Sequence, residues 1–437
     1  MVLTIDILSK ERIKPSCPTP DHLKRFNLCL LDQLIPADFA PIIIFYPPNN
    51  GDSITSSEVQ GRLDILRSSL SEVLKQFYPL AGTIRDDVFV DCDDQGAYLT
   101  TAKVGCSLSE FLTSPDLKTL SRFLPCGLNT DETCVTNVQA SVFSCGGIAV
   151  GICISHRILD GAALGLFLKS WADTAISDKE KTVLTSPDLL SASSLFPAHA
   201  TWLKEASKAM WSCLFKKAQF VTKRFVFDGA AIATLKGRIG FGPTSVEIVS
   251  GFIWKHATMS GCKKSSLITH LVNLRKRAAP NFSGQSLGNL VWIASAKLGA
   301  EKSSLELFGV VDEVRKCLSR IDGEYVESLR GDGGSHVMQR DLTEIGKYGG
   351  GGDVDHIGFS SWCKLGFYDV DFGWGKPVWV SSIDSSGPLF MNLVVLMETR
   401  FGDGIEAWIT MDEQQLSVLE HNQEFRSFAA LNPSPLL

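Results

Sequence analysis

Apolar residues along this chain recur with two periods, one of two residues and one near 3.6, and each predicts a different element. Residues 57–76 carry the helical period. Leu63, Leu66, Leu70, Val73 and Leu74 recur at spacings of three and four, leaving Arg62, Asp64 and Glu72 on other faces. Pro79 and Gly82 stop that helix. Ala40–Tyr46 is a β-branched and aromatic run and predicts a strand. Ahead of it, Ile13–Pro20 holds three prolines, which remove donors and fix φ, so this stretch is a turn. Short strands are expected around 88–100, with Asp93-Asp94-Gln95-Gly96 as a turn. Residues 135–154 read as two apolar strands about a turn at Cys145-Gly146-Gly147. The second, Ile148–Ile154, is apolar on both faces, the mark of a central strand. A helical pattern then begins near Gly161 and runs through Leu164, Phe167, Leu168, Trp171 and Ala172.

The pattern loosens over 176–222, where Ser, Pro and Lys cluster as expected of a crossover between domains. Order resumes with a strand at Lys223–Phe227 and a helix near 245–258. Segment 331–353 ends in four glycines and Asp353 and reads as a mobile surface loop. It lacks the G-x-x-x-x-G-K-[ST] pattern of a phosphate cradle. No internal repeat is visible. A chain of 437 residues exceeds one ordinary core. The division expected is a first domain over 1–180, a crossover over 181–222 and a second domain over 223–437.

Composition narrows the function. A net charge of −6 argues against nucleic acid or an anionic membrane as the main partner. None of the twelve cysteines forms a C-x-x-C pair, and histidines 22, 199, 256, 270, 336, 356 and 421 form no ligand pattern, so no metal is expected. The opening residues have no basic n-region, and Asp6 interrupts their apolar run. The expectation is a soluble, cytoplasmic protein with reduced thiols.

Two constellations carry candidate chemistry. In the first, His156 leaves the end of the buried strand, Asp160 lies four residues on, and Gly161 turns the chain into a helix. Histidine is the side chain best suited to accept a proton at neutral pH. Asp160 either orients the imidazole or pairs with an arginine, Arg275 and Arg277 being the available cations. A hydrolase built on Ser155 and His156 fails, because adjacent side chains on a strand point to opposite sides and no G-x-S-x-G elbow is present. The second constellation, Asp371-Phe372-Gly373-Trp374-Gly375-Lys376-Pro377, reads as a tight structural turn. Its Asp371 is a candidate partner for a buried arginine.

Together these motifs resemble the plant BAHD acyltransferases, which carry H-x-x-x-D in mid-chain and D-F-G-W-G near the C-terminus. The likeness extends through Leu74–Gly82, Asn273-Leu274-Arg275 with Gly288-Asn289, and Phe401–Ala407. The opening segment IKPSCPTPDHLKRFNLCLLDQ resembles the branch that acetylates alkaloids, terpenoids and other specialised alcohols. The resemblance implies two similar α/β domains of chloramphenicol-acetyltransferase-like type. Each has a mixed sheet and flanking helices, and a solvent channel runs between them. It implies a monomer that holds no permanent cofactor and uses acetyl-CoA as co-substrate to acylate a small-molecule alcohol. His156 is the implied general base, with Asp160 beside it. Ser360 and Trp362 match the family's Thr-Ser-Trp segment and are the implied oxyanion donors, serine standing where threonine is more familiar. Asp160 and Asp371 become arginine partners, Arg275 foremost, and Ser250 and Lys255 fall in the half that contacts coenzyme A. The alternatives are a non-catalytic scaffold or regulator of the same fold and an acyltransferase using a longer or aromatic acyl-CoA.

Overall fold

The computed structural model describes residues 3–36, 39–48, 54–125, 134–176, 186–198, 202–240, 242–258, 265–278, 283–299, 306–349, 354–382 and 389–436. Among the described residues, eighteen strands form two large sheets and two small ones. The first large sheet has the order β1 (Ile5–Ile13), β6 (Ala97–Val104), β7 (Thr136–Val142), β8 (Ile148–Ser155), β3 (Phe39–Tyr46), β14 (Trp379–Ser381). The second runs β12 (Val291–Leu298), β11 (Ser265–Asn273), β13 (Val354–Ser361), β16 (Leu393–Glu398), β17 (Ile405–Asp412), β10 (Phe220–Phe227), β18 (Ala430–Leu431). Both are mixed: β6 and β7 are parallel, as are β11–β13 and β13–β16. A small sheet joins β2 (Arg25–Asn27), β5 (Phe89–Asp91) and β4 (Thr83–Arg85), and a ribbon joins β9 (Lys216–Lys217) to β15 (Leu389–Phe390).

Twelve α-helices accompany them among the described residues. In the first half these are α1 (Ser56–Gln76), α2 (Leu108–Thr113) and α3 (Gly161–Ile176). The crossover holds α4 (Ser191–Leu195) and α5 (Leu203–Leu214). The second half adds α6 (Gly229–Gly237), α7 (Ser245–Thr258), α8 (Leu307–Ser319), α9 (Gly323–Ser328), α10 (Gly331–Gly349), α11 (Glu413–His421) and α12 (Gln423–Phe428). A Thr55–Glu58 capping box starts α1, and the stripe Leu63, Leu66, Leu70, Val73, Leu74 is buried as its spacing requires. Among the described residues no helix is long and apolar enough to cross a membrane.

Two features depart from a linear division of the chain at the crossover. Strand β14 pairs with β3, and Phe367–Val380 contributes Phe372, Trp374 and Trp379 to the first core. In return, Cys29, Leu30, Leu31 and Leu34 pack into the second core. Each half therefore completes the other. A third departure corrects the reading of 331–353 as a loop: residues 331–349 form α10. Met338, Leu342 and Ile345, four and three apart, are buried in the second core, and the helix packs on α5. That apolar stripe outweighs the helix cost of the glycines, about 1 kcal/mol each. Residues 350–353 lie outside the described residues.

Candidate active site

Strand β8 lies between β7 and β3, apolar and buried along its length, so the chain beyond it is held rigidly. His156 is the first residue past its end and is half-buried. Four residues on, Asp160 caps α3: its Oδ1 accepts the Ala163 N–H at 2.9 Å. Its Oδ2 accepts from Arg275 Nη1 at 2.7 Å and from the Leu290 N–H at 3.0 Å. Both partners of this ion pair are buried. Arg275 donates from Nε and Nη2 to the carbonyls of Ser286 and Gly288, and Nη1 also reaches Asn273 Oδ1 at 3.4 Å. The spacing of the motif is thus the length of the turn between strand and helix. Asp160 ties that turn to the second half and leaves the imidazole to another partner.

That partner is Asn289. His156 Nδ1 lies 3.0 Å from Asn289 Oδ1. The amide orientation is set by its other end, where Nδ2 donates to the His156 carbonyl at 2.7 Å and to Asp32 Oδ1 at 2.9 Å. Both are acceptors, so Oδ1 is the atom facing the imidazole. Nδ1 therefore carries the proton, and Nε2 keeps its lone pair. Asp32 is buried and also accepts the backbone N–H groups of Asn289, at 2.7 Å, and Cys29, at 2.8 Å. Burial pushes its carboxyl above the usual range, and these donors oppose that shift.

His156 lines a cavity of about 50 Å³ together with Asp160, Gly161, Leu271, Asn273, Val291, Ser360, Ser361, Trp362 and Leu365. Both halves contribute walls. Ser360 Oγ and Trp362 Nε1 make no hydrogen bond among the described residues, so two donors stand unpaired in the same cavity as an imidazole base. No group of three or more metal-ligating side chains is found among the described residues. A base and donors facing one cavity of mixed polar and apolar lining suit proton removal from a hydroxyl and stabilisation of an oxyanion.

Comparison with known proteins decides the family. The Transferase family profile matches residues 3–426. The chain belongs to this family, the BAHD acyltransferases. It is 39% identical over 460 residues to a limonoid 7-O-acetyltransferase of Citrus sinensis, covering 99% of each chain. It is 37% identical to akuammiline synthase 2 of Alstonia scholaris, covering 99% of this chain and 98% of that one. The crystal structure of vinorine synthase superposes with a TM-score of 0.83 at 29% identity, covering 99% of this chain and all of that one. F. sporotrichioides TRI101, solved with coenzyme A and T-2, shares the fold at a TM-score of 0.68 and 15% identity, over 93% and 99% of the two chains.

In this BAHD acyltransferase the D-F-G-W-G segment lies outside the cavity. Asp371 has no arginine partner among the described residues, contrary to the expectation from sequence. Its Oδ1 accepts the N–H groups of Gly373 at 2.8 Å and Gly375 at 2.9 Å. Both glycines adopt φ near +100°, a conformation that a Cβ disfavours. The turn presents Phe372 and Trp374 to Tyr46 of β3, and Phe372 to Trp171 of α3 at 5.0 Å. The segment therefore buttresses the helix that starts at Asp160. Ser250 and Lys255 both lie on α7, and neither lines the His156 cavity. Ser250 is fully buried with an unpartnered hydroxyl, so the fold does not present it to a ligand. Sequence reasoning noticed Asn289 without a role and gave none to Asp32. Both lie too far along the chain from His156 for any local pattern to join them.

Proposed function

We propose that this acyltransferase carries an acetyl group from acetyl-CoA to a hydroxyl of an alkaloid or terpenoid alcohol, triterpenoids included. It does so as a cytoplasmic monomer, by direct transfer with His156 as general base. The observation that carries the reading is the Asn289 bond, which leaves the Nε2 lone pair open in a cavity with two donors that have no partner among the described residues. The O-acetyltransferase names of the Citrus sinensis relative and of salutaridinol 7-O-acetyltransferase of Papaver somniferum (34% identical) support the reaction class.

Nε2 takes the hydroxyl proton as the alcohol oxygen bonds to the thioester carbonyl carbon. Ser360 and Trp362 donate to the oxyanion that forms. Charge on the imidazolium is supported through Nδ1–H by Asn289, whose amide is backed by the Asp32 carboxylate. When the intermediate collapses, the C–S bond breaks and Nε2 returns its proton to the thiolate. Base catalysis of this kind contributes ~10²–10⁴-fold, and holding both substrates together contributes further.

Direct transfer has a specific signature. Initial rates with both substrates varied should give intersecting double-reciprocal lines, and mass spectrometry after incubation with acetyl-CoA alone should show unmodified protein. Parallel lines with a protein gaining one acetyl mass would establish an acyl-enzyme and remove the proposal.

A further inference from the structure

One short run of the second half, Ser286–Leu290, holds most of the surroundings of His156. Its Asn289 faces the imidazole, its Ser286 and Gly288 carbonyls hold Arg275, and its Leu290 N–H meets Asp160. The run lies outside both large sheets, since β12 begins only at Val291. Asp32 and the Leu274 N–H secure its far end. Its near end is secured by the crossover. Asp188 and Ser286 form an isolated parallel bridge: the Asp188 N–H donates to the Gln285 carbonyl at 2.9 Å, and its carbonyl accepts the Leu287 N–H at 2.8 Å. The side chain repeats the tie. Oδ2 accepts the Ser286 hydroxyl at 2.6 Å, while Oδ1 accepts the Leu190 and Ser191 N–H groups, each at 3.1 Å. One carboxylate thus shapes the turn into α4 and joins that turn to Ser286. Packing follows the same line. Leu189 rests on the first core, whereas Ala192 and Phe196 are buried in the second. Gly288, at φ +120°, passes beside α4, where an added Cβ would meet Ala192 Cβ at 3.2 Å.

Resting on the acyl-transfer reading, we propose that Asp188 is a positioning residue for that reaction. It does not line the His156 cavity and touches no reacting atom. Its carboxylate fixes the start of the Ser286–Leu290 run, and through it keeps Asn289 Oδ1 on the Nδ1–H of His156. The warrant is that no sheet ladder holds this run straight. A hydrogen bond to a carboxylate is roughly twice as strong as one between neutral groups. The Ser286 hydroxyl is fully buried and has no other partner among the described residues. Without Asp188 it becomes a buried unpaired donor, and the run shifts to relieve it. A displacement of about 1 Å in a group that aligns a base costs on the order of 10²-fold in rate at most sites of this kind, and less where, as here, the far end stays tied.

The experiment separates positioning from general stability. Asp188→Ala should lower kcat ~10-fold with KM for acetyl-CoA within about twofold, the pattern of an outer partner of a functional histidine. Asp188→Asn keeps an acceptor for the turn into α4 and offers its amide to the Ser286 oxygen, so it should recover most of the loss. In an Asn289→Ala background, Asp188→Ala should cost less than about twofold, because its route to His156 is already cut. A second readout needs no substrate. With histidine labelled at its ring nitrogens, NMR at a pH where the ring is neutral should show His156 as the Nδ1–H tautomer in wild type and as a mixture in Asp188→Ala. The signal is assigned by its absence from His156→Ala. Should Asp188→Ala fail to fold by circular dichroism, Ser286→Ala, which keeps the backbone carbonyls that hold Arg275, takes its place in the kinetic cycle and the spectrum. A kcat within about twofold of wild type, a ~10-fold loss that persists in the Asn289→Ala background, or an unchanged tautomer each overturns the inference. Absence of acceptor-dependent thiol release by wild type would instead defeat the acyl-transfer reading, and the tautomer would still decide the role of Asp188.

Discussion

The imidazole of His156 is oriented by a neutral amide, and the charge stands one residue further back. Asn289 Oδ1 fixes the proton on Nδ1, and Asp32 fixes Asn289 through two hydrogen bonds. Replacing Asn289 by Ala removes the acceptor and leaves the tautomer to chance. Its kcat should fall on the order of 10–100-fold, the loss typical for a partner that orients a functional histidine. KM for acetyl-CoA should hold; a kcat within twofold of wild type would contradict the assignment. At this scale the junction carrying His156 and Asp160 was legible from its strand–turn–helix pattern, and the structure places Ser360 and Trp362 on the same cavity and pairs Asp160 with Arg275. Asn289 and Asp32 were not legible, since only the folded sheets bring positions 32, 156 and 289 together. Asp371 misled for a related reason: a carboxylate beside glycines serves two backbone donors as well as it would an arginine.

At the scale of elements, the junction of β8 and α3 is held from behind. Gly165 faces the backbone of Leu365, where an added Cβ would sit 2.5 Å from the carbonyl oxygen. Leu365 and Trp362 line the His156 cavity, so this contact sets how closely α3 approaches one of its walls. Gly165→Ala should therefore destabilise the protein by about 1–3 kcal/mol despite the better helix propensity of alanine. The unfolding midpoint in urea reads the effect, and a more stable variant would show that α3 has room. Strands β3, β6, β7, β8 and β10 were visible as apolar or β-branched runs and α1, α3 and α7 as apolar stripes, whereas β11, β12, β13 and β16 of the second sheet were not read. Helix α10 was hidden because its glycines draw the eye before Met338, Leu342 and Ile345 do.

Across the whole molecule, the halves are stitched by exchanged segments and buried polar ties. Besides β14 and Asp160–Arg275, the Asn432 amide donates to the Pro115 carbonyl at 3.0 Å, and Ser434 donates to that of Leu112 at 2.8 Å. The second core also encloses histidines in their neutral form. Burial lowers His256 and His270 to about 4 and His356 to about 3, with Glu424, 3.7 Å from His256, acting against the trend. The unfolded chain protonates these groups near ~6.5. Below that pH it binds more protons than the folded chain, so stability rises with pH across the window. The contribution is whole above about 6.5 and is lost as pH falls toward 4, and toward 3 for His356. Urea midpoints should drop between pH 7.5 and 5.0, each histidine contributing at most about 1.4 kcal/mol per pH unit. His356→Leu should shallow the slope, and an unchanged slope would mean that His356 does not contribute.

The most direct measurement is free thiol release from acetyl-CoA against a panel of terpenoid and alkaloid alcohols. Wild type is compared with His156→Ala, the folding of both checked by circular dichroism. Acceptor-dependent release by wild type, reduced ~10²–10⁴-fold in a folded variant, is the result expected of a general base. Equal release by the two proteins would show that His156 is not that base.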